Sequence, residues 1–192
     1  MEEDDLNRNV EIIVIGGSAG SLEVIFYMLE RITTPKFPIV IVLHRKSSSD
    51  SLLAEVMSDH SLLKVKEAEE KEPLENGIVY LAPSDYHLLV EKDRTFSLDY
   101  SEKVNFSRPS IDVSFESIAS VYGSGTVGIL LSGGNTDGVK GLASIKSSGG
   151  MCIVQDPDTA EIAFMPEHAL NNAEVDLILR TVEFPDFINR WG

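Results

Sequence analysis

Short apolar runs rich in β-branched residues alternate along this sequence with segments whose apolar residues recur at helical spacing. Apolar runs of this length are typical of parallel strands that are buried on both faces. The predicted strands are residues 12–15, 39–43, 78–81, 127–131 and 151–154, with 175–179 as a weaker candidate. The predicted helices are residues 22–32, 49–59, 111–122 and 138–146. The alternation predicts an α/β fold, a three-layer α/β/α sandwich around a mostly parallel, doubly wound sheet.

Three segments depart from this alternation. Residues 86–91 and 95–99 flank a polar turn and predict one antiparallel hairpin beside the main sheet. Residues 67–72 are mostly charged, which favours a solvated face or a loop. Residues 184–191 predict a short helix that docks on the rest of the domain.

Length and composition limit the classes of protein that the chain can belong to. Its 192 residues suit a single domain, 1–192, in which residues 1–9 are expected to form a flexible acidic leader. No uncharged apolar run approaches the ~20 residues that cross a membrane, so we expect a cytoplasmic protein without direct membrane insertion. The formal net charge of −15 argues against binding to nucleic acid. The single cysteine, Cys152, lies in an apolar run and is expected to be a buried core thiol.

Three reactive side chains, Ser18, His44 and Asp137, each follow a predicted strand. The carboxyl ends of neighbouring parallel strands share one edge of a sheet, which is where open α/β sheets bind ligands. A serine hydroxyl needs a base to remove its proton, and an imidazole serves near neutral pH when a carboxylate orients its other nitrogen. The spacing therefore permits a Ser–His–Asp triad.

The glycine-rich turn around Ser18 is open to several interpretations. The sequence G-G-S-A-G at 16–20 fits the G-x-S-x-G pattern of α/β hydrolases, but those enzymes order their triad as nucleophile, acid and histidine. The glycines could instead only let a strand and a helix pack closely. A nucleotide-binding turn is a further alternative, but Ser18 interrupts the G-x-G-x-x-G spacing and His44 stands where an acidic ribose ligand is expected.

The other histidines, His60, His87 and His168, have no paired serine in their sequence context, and we expect them to be structural or exposed. The sequence also shows no closely spaced set of His or carboxylate residues of the kind that binds a metal ion.

Six blocks in fixed order give a more specific signal than any single motif. They cover nearly the whole chain, at residues 15–21, 42–44, 80–88, 108–112, 130–138 and 155–166. In these blocks the sequence resembles the catalytic domain of the chemotaxis receptor protein-glutamate methylesterases, the CheB family, whose members also deamidate receptor glutamines. The resemblance implies a methylesterase-like catalytic domain that acts without a cofactor or a metal.

The resemblance also implies a role for each reactive residue. Ser18 would be the nucleophile, His44 the general base and Asp137 the carboxylate that orients the imidazole. The substrate would be a glutamate methyl ester, or a glutamine, in the cytoplasmic helical region of a methyl-accepting chemotaxis receptor. The backbone amides of Ala19 and Gly134 would hold the oxyanion of the tetrahedral intermediate.

Two further residues in matching blocks, Arg108 and Met165, are candidate substrate contacts, although for Arg108 we favour the alternative that it holds its own loop. Departures from the family pattern occur at the rim of the expected pocket. The block at 132–135 reads S-G-G-N where T-G-M-G is usual, so Gly134 replaces a methionine, while Arg45 and Phe164 also differ from the common residues.

Family members usually carry an amino-terminal phospho-receiver domain, and we expect no receiver domain in this sequence. The alternative to an active esterase is therefore a noncatalytic homologue, or one with a different client, that acts as a signalling interaction module. The intact set of Ser18, His44 and Asp137 favours the esterase. The sequence leaves the oligomeric state open.

Overall fold

The computed structural model describes residues 9–33, 35–45 and 52–192. Apart from Asn9, the predicted acidic leader lies outside the described residues. Positions 49–51 of the second predicted helix lie outside them as well.

The described residues contain a parallel sheet of seven strands and a separate antiparallel pair. The strands are β1 (Ile12–Gly17), β2 (Ile39–Leu43), β3 (Lys64–Glu67), β4 (Ile78–Leu81), β5 (His87–Val90), β6 (Phe96–Asp99), β7 (Thr126–Leu130), β8 (Met151–Gln155) and β9 (Leu177–Leu179). The sheet order is β3-β4-β2-β1-β7-β8-β9, and each neighbouring pair is parallel. The antiparallel pair is β5 with β6, which confirms the predicted hairpin.

Six α-helices in the described residues cover the two faces of the sheet. They are α1 (Ser21–Leu29), α2 (Leu53–Asp59), α3 (Ile111–Tyr122), α4 (Val139–Ser147), α5 (Phe164–Asn172) and α6 (Phe184–Asn189). Successive residues of a strand point to opposite faces. Ile13 and Ile15 accordingly pack in the core formed with α1, α2 and α6, whereas Ile12 and Val14 pack in the core formed with α3, α4, α5 and the hairpin. The three-layer α/β/α sandwich is therefore confirmed.

Two elements were not predicted. β3 has the sequence K-V-K-E and buries only Val65, as suits an edge strand, so it lacks the apolar run of the central strands. The remainder of the charged segment 67–72 lies outside the strands, as predicted for a loop. α5 begins with F-M-P-E, and its Pro166 is tolerated because it falls in the first turn of the helix.

The central strand β1 brings α3 close to the carboxyl edge of the sheet. A Cβ atom added to Gly16 would lie 2.5 Å from Ile111 Cγ2, so only glycine lets the first turn of α3 pack against this strand. The amino terminus of α3 thereby lies beside the loops that follow β1, β2 and β7.

Cys152 is fully buried in β8, which confirms its prediction as a core thiol, and its Sγ lies 3.1 Å from the carbonyl oxygen of Leu142. In the part of the chain that the structure describes, no helix is both long and apolar enough to cross a membrane.

Candidate active site

Ser18 lies on the turn that joins β1 to α1, and its backbone is held at both polar groups. Its N–H donates to Ser132 O at 2.9 Å. Its carbonyl oxygen accepts from Ser21 N–H at 3.1 Å and from Ser21 Oγ at 2.6 Å. Gly20 then adopts a positive φ of 81°, which starts α1 without the cost that a side chain would add. The turn therefore presents Ser18 at the amino terminus of a helix.

Ser18 and His44 line the same cavity, which has a volume of about 260 Å³. Ala19, Leu22 and Leu43 contribute to its wall. His44 also lines a second cavity of about 450 Å³, together with residues from the loop before α3. The imidazole thus stands between a small cavity that contains the serine and a larger open cleft.

The ring of His44 is hydrogen-bonded to Asp137, since its Nε2 lies 2.8 Å from Asp137 Oδ2. The His44 side chain is 10% exposed and the Asp137 side chain is fully buried. On the other side of the ring, Asn135 Nδ2 lies 3.1 Å from His44 Nδ1. Among the described residues, no hydrogen bond joins the Ser18 hydroxyl to the ring in this geometry.

Asp137 accepts hydrogen bonds from the amino terminus of α3. Its Oδ2 accepts from Ile111 N–H at 2.6 Å, and its Oδ1 accepts from Asp112 N–H at 3.2 Å and from Ser110 Oγ at 3.0 Å. Burial by itself raises the pKa of Asp137, but the hydrogen bonds from His44, Asn105 and Ile111 N–H outweigh it and lower the pKa to about 2. The carboxylate is therefore ionised at neutral pH.

Asp112 makes the reciprocal arrangement with α4. Its Oδ1 accepts from Gly138 N–H at 2.9 Å and from Gly141 N–H at 2.8 Å, at the start of that helix. The amide of Asn105 joins the two carboxylates, because its Nδ2 lies 2.9 Å from both Asp112 Oδ2 and Asp137 Oδ1. Burial and, to a smaller extent, the nearby carboxylate of Asp137 raise the pKa of Asp112 to about 6, although the two backbone donors act in the opposite direction.

Both predicted oxyanion donors are available. Within residues 9–33, 35–45 and 52–192, neither the Ala19 amide nor the Gly134 amide donates a hydrogen bond, whereas Gly133 N–H donates to Ile162 O at 3.2 Å. Ser132 links their two turns, since its Oγ lies 2.9 Å from Ala19 O and accepts from Ile162 N–H at 2.9 Å. The unengaged amides therefore sit on turns that are fixed to each other.

The two candidate substrate contacts have different surroundings. Arg108 lines the larger cavity, and its Nη1 donates to Ser101 O at 2.7 Å and to Tyr100 O at 3.1 Å, so it also holds its own loop. Met165 is fully buried, and its Cε would lie 2.6 Å from a Cβ atom on Gly133. The position of Met165 supports the turn at 132–135 from beneath and gives it no exposed surface for a substrate.

Arg45 and Phe164 are the two further departures from the family pattern. Arg45 lines both cavities, and its Nη2 is bonded to Glu67 and lies 3.0 Å from Ala82 O. Phe164 is 49% exposed and stacks on the ring of His168, with centroids 5.9 Å apart. Arg45 can therefore influence what enters the site, whereas Phe164 lies on the outer surface of α5.

None of the other histidines lines the two cavities beside His44. His87 is structural, as predicted: it is buried, its Nε2 lies 3.0 Å from Glu102 O and its Nδ1 accepts from Ser110 N–H at 3.1 Å. His60 is exposed and His168 is half-buried. Among the described residues, no group of three or more His, Cys, Asp or Glu side chains is arranged to hold a metal ion.

Sequence reasoning missed four residues of the hydrogen-bond network: Asn105, Ser110, Asp112 and Asn135. Ser110 is the N-cap of α3 and accepts from Val113 N–H, a role that a serine directly before a predicted helix could have indicated. Asn105 has a positive φ of 49°, a conformation in which asparagine is common, but nothing in its neighbourhood in the sequence marks it.

Comparison with known proteins shows the family of the chain. The family model of the CheB methylesterases matches residues 13–188. The chain belongs to the CheB methylesterase family. The match contains each of the three reactive side chains and extends from β1 to α6.

Relatives of CheB type cover most of the chain. A putative protein-glutamate methylesterase/protein-glutamine glutaminase of Leptospira interrogans is 49% identical over 172 residues, which are 89% of each chain. The protein-glutamate methylesterase/protein-glutamine glutaminase of Thermotoga maritima is 35% identical over 92% of this chain and 52% of its own length. The crystal structure of the Thermotoga maritima CheB methylesterase catalytic domain superposes with a TM-score of 0.89 at 32% identity, over 95% of this chain and 99% of that chain.

Proposed function

We propose that the chain is a serine carboxylesterase that hydrolyses glutamate methyl esters on chemotaxis receptors, and that it can also deamidate glutamine. The observation that carries this proposal is the hydrogen bond between His44 and an ionised, buried Asp137, beside a cavity that Ser18 also lines. Its CheB relatives are named for both activities.

The reaction begins when His44 accepts the proton of Ser18 and the serine oxygen attacks the ester carbonyl carbon. Asp137 remains ionised and stabilises the imidazolium that forms. The carbonyl oxygen becomes an oxyanion, which the amides of Ala19 and Gly134 receive at the amino terminus of α1. One such donor typically contributes ~3 kcal/mol to transition-state stabilisation.

Collapse of the tetrahedral intermediate breaks the bond to the methoxy group, which takes the proton from His44 and leaves as methanol. The acyl-enzyme then remains on Ser18. Water attacks its carbonyl carbon while His44 removes the water proton, and the glutamate carboxylate is released. With a glutamine substrate the same steps release ammonia.

The second cavity supports the proposal of a receptor segment as substrate. Lys103 and Arg108 line it together with Asp85, although the chain as a whole carries a net charge of −15. Phe106 also lines this cavity and is 97% exposed. A local set of cations beside an exposed aromatic ring suits an acidic helical partner whose side chain reaches across His44 to Ser18.

Methanol release from membranes that contain methylated receptors tests this function. We expect release by the wild-type chain, none above background by Ser18→Ala, and wild-type release by Ser147→Ala. Ser147 is an exposed residue of α4 whose hydroxyl bonds only to Ser144 O among the described residues.

Circular dichroism should show that the three proteins are equally folded. Full release by Ser18→Ala would contradict the proposed nucleophile. A folded wild-type chain that releases no methanol, and yet binds the receptor membranes, would instead indicate a noncatalytic interaction module.

A further inference from the structure

Asn135 contacts the ring nitrogen on which the proposed reaction depends. Its Nδ2 lies 3.1 Å from His44 Nδ1, while Asp137 occupies the opposite nitrogen of the ring at 2.8 Å. Asn135 and Asp137 therefore contact the two nitrogens of one imidazole ring.

Hydrogen bonding fixes the orientation of the Asn135 amide. Asn135 Oδ1 accepts from Asp137 N–H at 3.1 Å, so Nδ2 faces the imidazole. An amide nitrogen can only donate, which makes His44 Nδ1 the acceptor and leaves the ring proton on Nε2. The ionised carboxylate of Asp137 requires the same proton position, so both neighbours select one tautomer.

This tautomer places the lone pair of His44 where two donors compete for it. Nδ1 has one lone pair, and Ser18 must donate its hydroxyl proton to that nitrogen during the reaction. While Asn135 occupies it, Ser18 cannot bond to it well. Once Nδ1 has accepted a proton, both Nδ1–H and the Asn135 NH2 group are hydrogen-bond donors, so the contact between them becomes unfavourable.

We propose that Asn135 is a positioning residue that holds His44 as a neutral base, with its lone pair on Nδ1, and that must release the ring before Ser18 is deprotonated. Only the release step rests on the proposed esterase function. The hydrogen bond and its effect on the imidazole can be measured without turnover.

NMR of ¹⁵N-labelled histidine gives that measurement, because the chain has only four histidines to assign. We expect the Nε2–H tautomer of His44 in the wild type. Asn135→Ala should move the ¹⁵N resonance of His44 Nδ1 downfield, toward that of an imidazole nitrogen that accepts no hydrogen bond.

The matched control is Asn172→Ala. Asn172 Nδ2 lies 3.3 Å from His168 Nδ1 in an exposed pair on α5, so this variant removes the same kind of contact away from the site. It should leave the Nδ1 resonance of His44 unchanged. The other charged groups that face His44 from the larger cavity are the same in each variant: Arg45, Asp85, Lys103 and Arg108.

An unchanged or upfield-shifted Nδ1 resonance in Asn135→Ala, or an Nδ1–H tautomer in the wild type, would overturn the proposal. The release step has its own readout in ester hydrolysis. Asn135→Ala should raise kcat at neutral pH about two- to tenfold, with KM unchanged. An unchanged or lower kcat would refute release. If the wild type hydrolyses no ester at all, the proposed function fails, while the NMR result still decides the role of Asn135.

Discussion

Replacement of Asp137 by Asn is expected to impair turnover far more than folding. Asp137 Oδ2 accepts from His44 Nε2 and from Ile111 N–H, and an amide group at this position offers one oxygen in place of two. If its NH2 group faces His44, the ring proton moves to Nδ1 and no lone pair remains for Ser18. The wrong tautomer should lower kcat by about 10³- to 10⁴-fold, which is about 4 to 5 kcal/mol in activation free energy.

The cost in stability can be worked from the same contacts. The hydrogen bonds that outweigh burial lower the pKa of Asp137 from 3.8 to about 2, and that difference corresponds to roughly 2 to 3 kcal/mol of folding free energy at neutral pH. Because the folded pKa is depressed, this contribution is present above the unfolded value near 4 and is lost as the pH falls toward 2. The hydrogen bond from Ile111 N–H is one of these contacts, so its loss is already part of that figure.

The assay compares Asp137→Asn with Asp112→Asn, in methanol release for kcat and in urea unfolding at pH 7 for stability. Asp112 is the matched control, because it caps the neighbouring helix and does not touch His44. We expect a large loss of kcat in Asp137→Asn only. Equal losses of kcat in both variants, or a kcat for Asp137→Asn within tenfold of the wild type, would refute the orienting role of Asp137.

Three further predictions concern the surroundings of the site. The pKa of Asp112 is raised to about 6, so this carboxyl group should stabilise the fold below pH 4. That stabilisation, roughly 3 kcal/mol at most, should be lost as the pH rises through 6. Urea unfolding should show the loss in the wild type but not in Asp112→Asn. Gly133→Ala would place a Cβ atom 2.6 Å from Met165 Cε and 3.1 Å from Ser18 Cβ. This variant should lower the free energy of unfolding by about 1 to 3 kcal/mol and reduce kcat. Wild-type values for both quantities would contradict the packing of this turn. Burial raises the pKa of the Cys152 thiol to about 12, so iodoacetamide at pH 8 should alkylate the protein only in urea, and rapid alkylation of the folded protein would disprove this burial.

The central sheet could be predicted because its strands are buried on both faces and therefore carry unbroken apolar runs. β1 and β2 are fully buried and were recognised from such runs. β3 was not predicted because an edge strand needs few apolar residues, and this strand buries only Val65. α5 was not predicted because Pro166 interrupts the helical pattern near the start of the helix.

The positions of the reactive side chains could be predicted for the same topological reason. Ser18, His44 and Asp137 follow β1, β2 and β7, which are neighbours in the sheet, so their carboxyl ends meet at one edge. The contacts of Asn105 and Asn135 could not be predicted, because each depends on the path of a loop and on the rotation of one amide group. No periodicity or spacing encodes such details.

Mapping of a covalent adduct tests most directly whether Ser18 is the nucleophile. A phosphonate ester that mimics the tetrahedral intermediate should react with the wild-type chain at one site, and peptide mass spectrometry should find the phosphonyl group on Ser18 as methanol release is lost in proportion. An adduct on another residue, or complete labelling of Ser18 with methanol release intact, would contradict the claim that the serine beside His44 and Asp137 is the nucleophile.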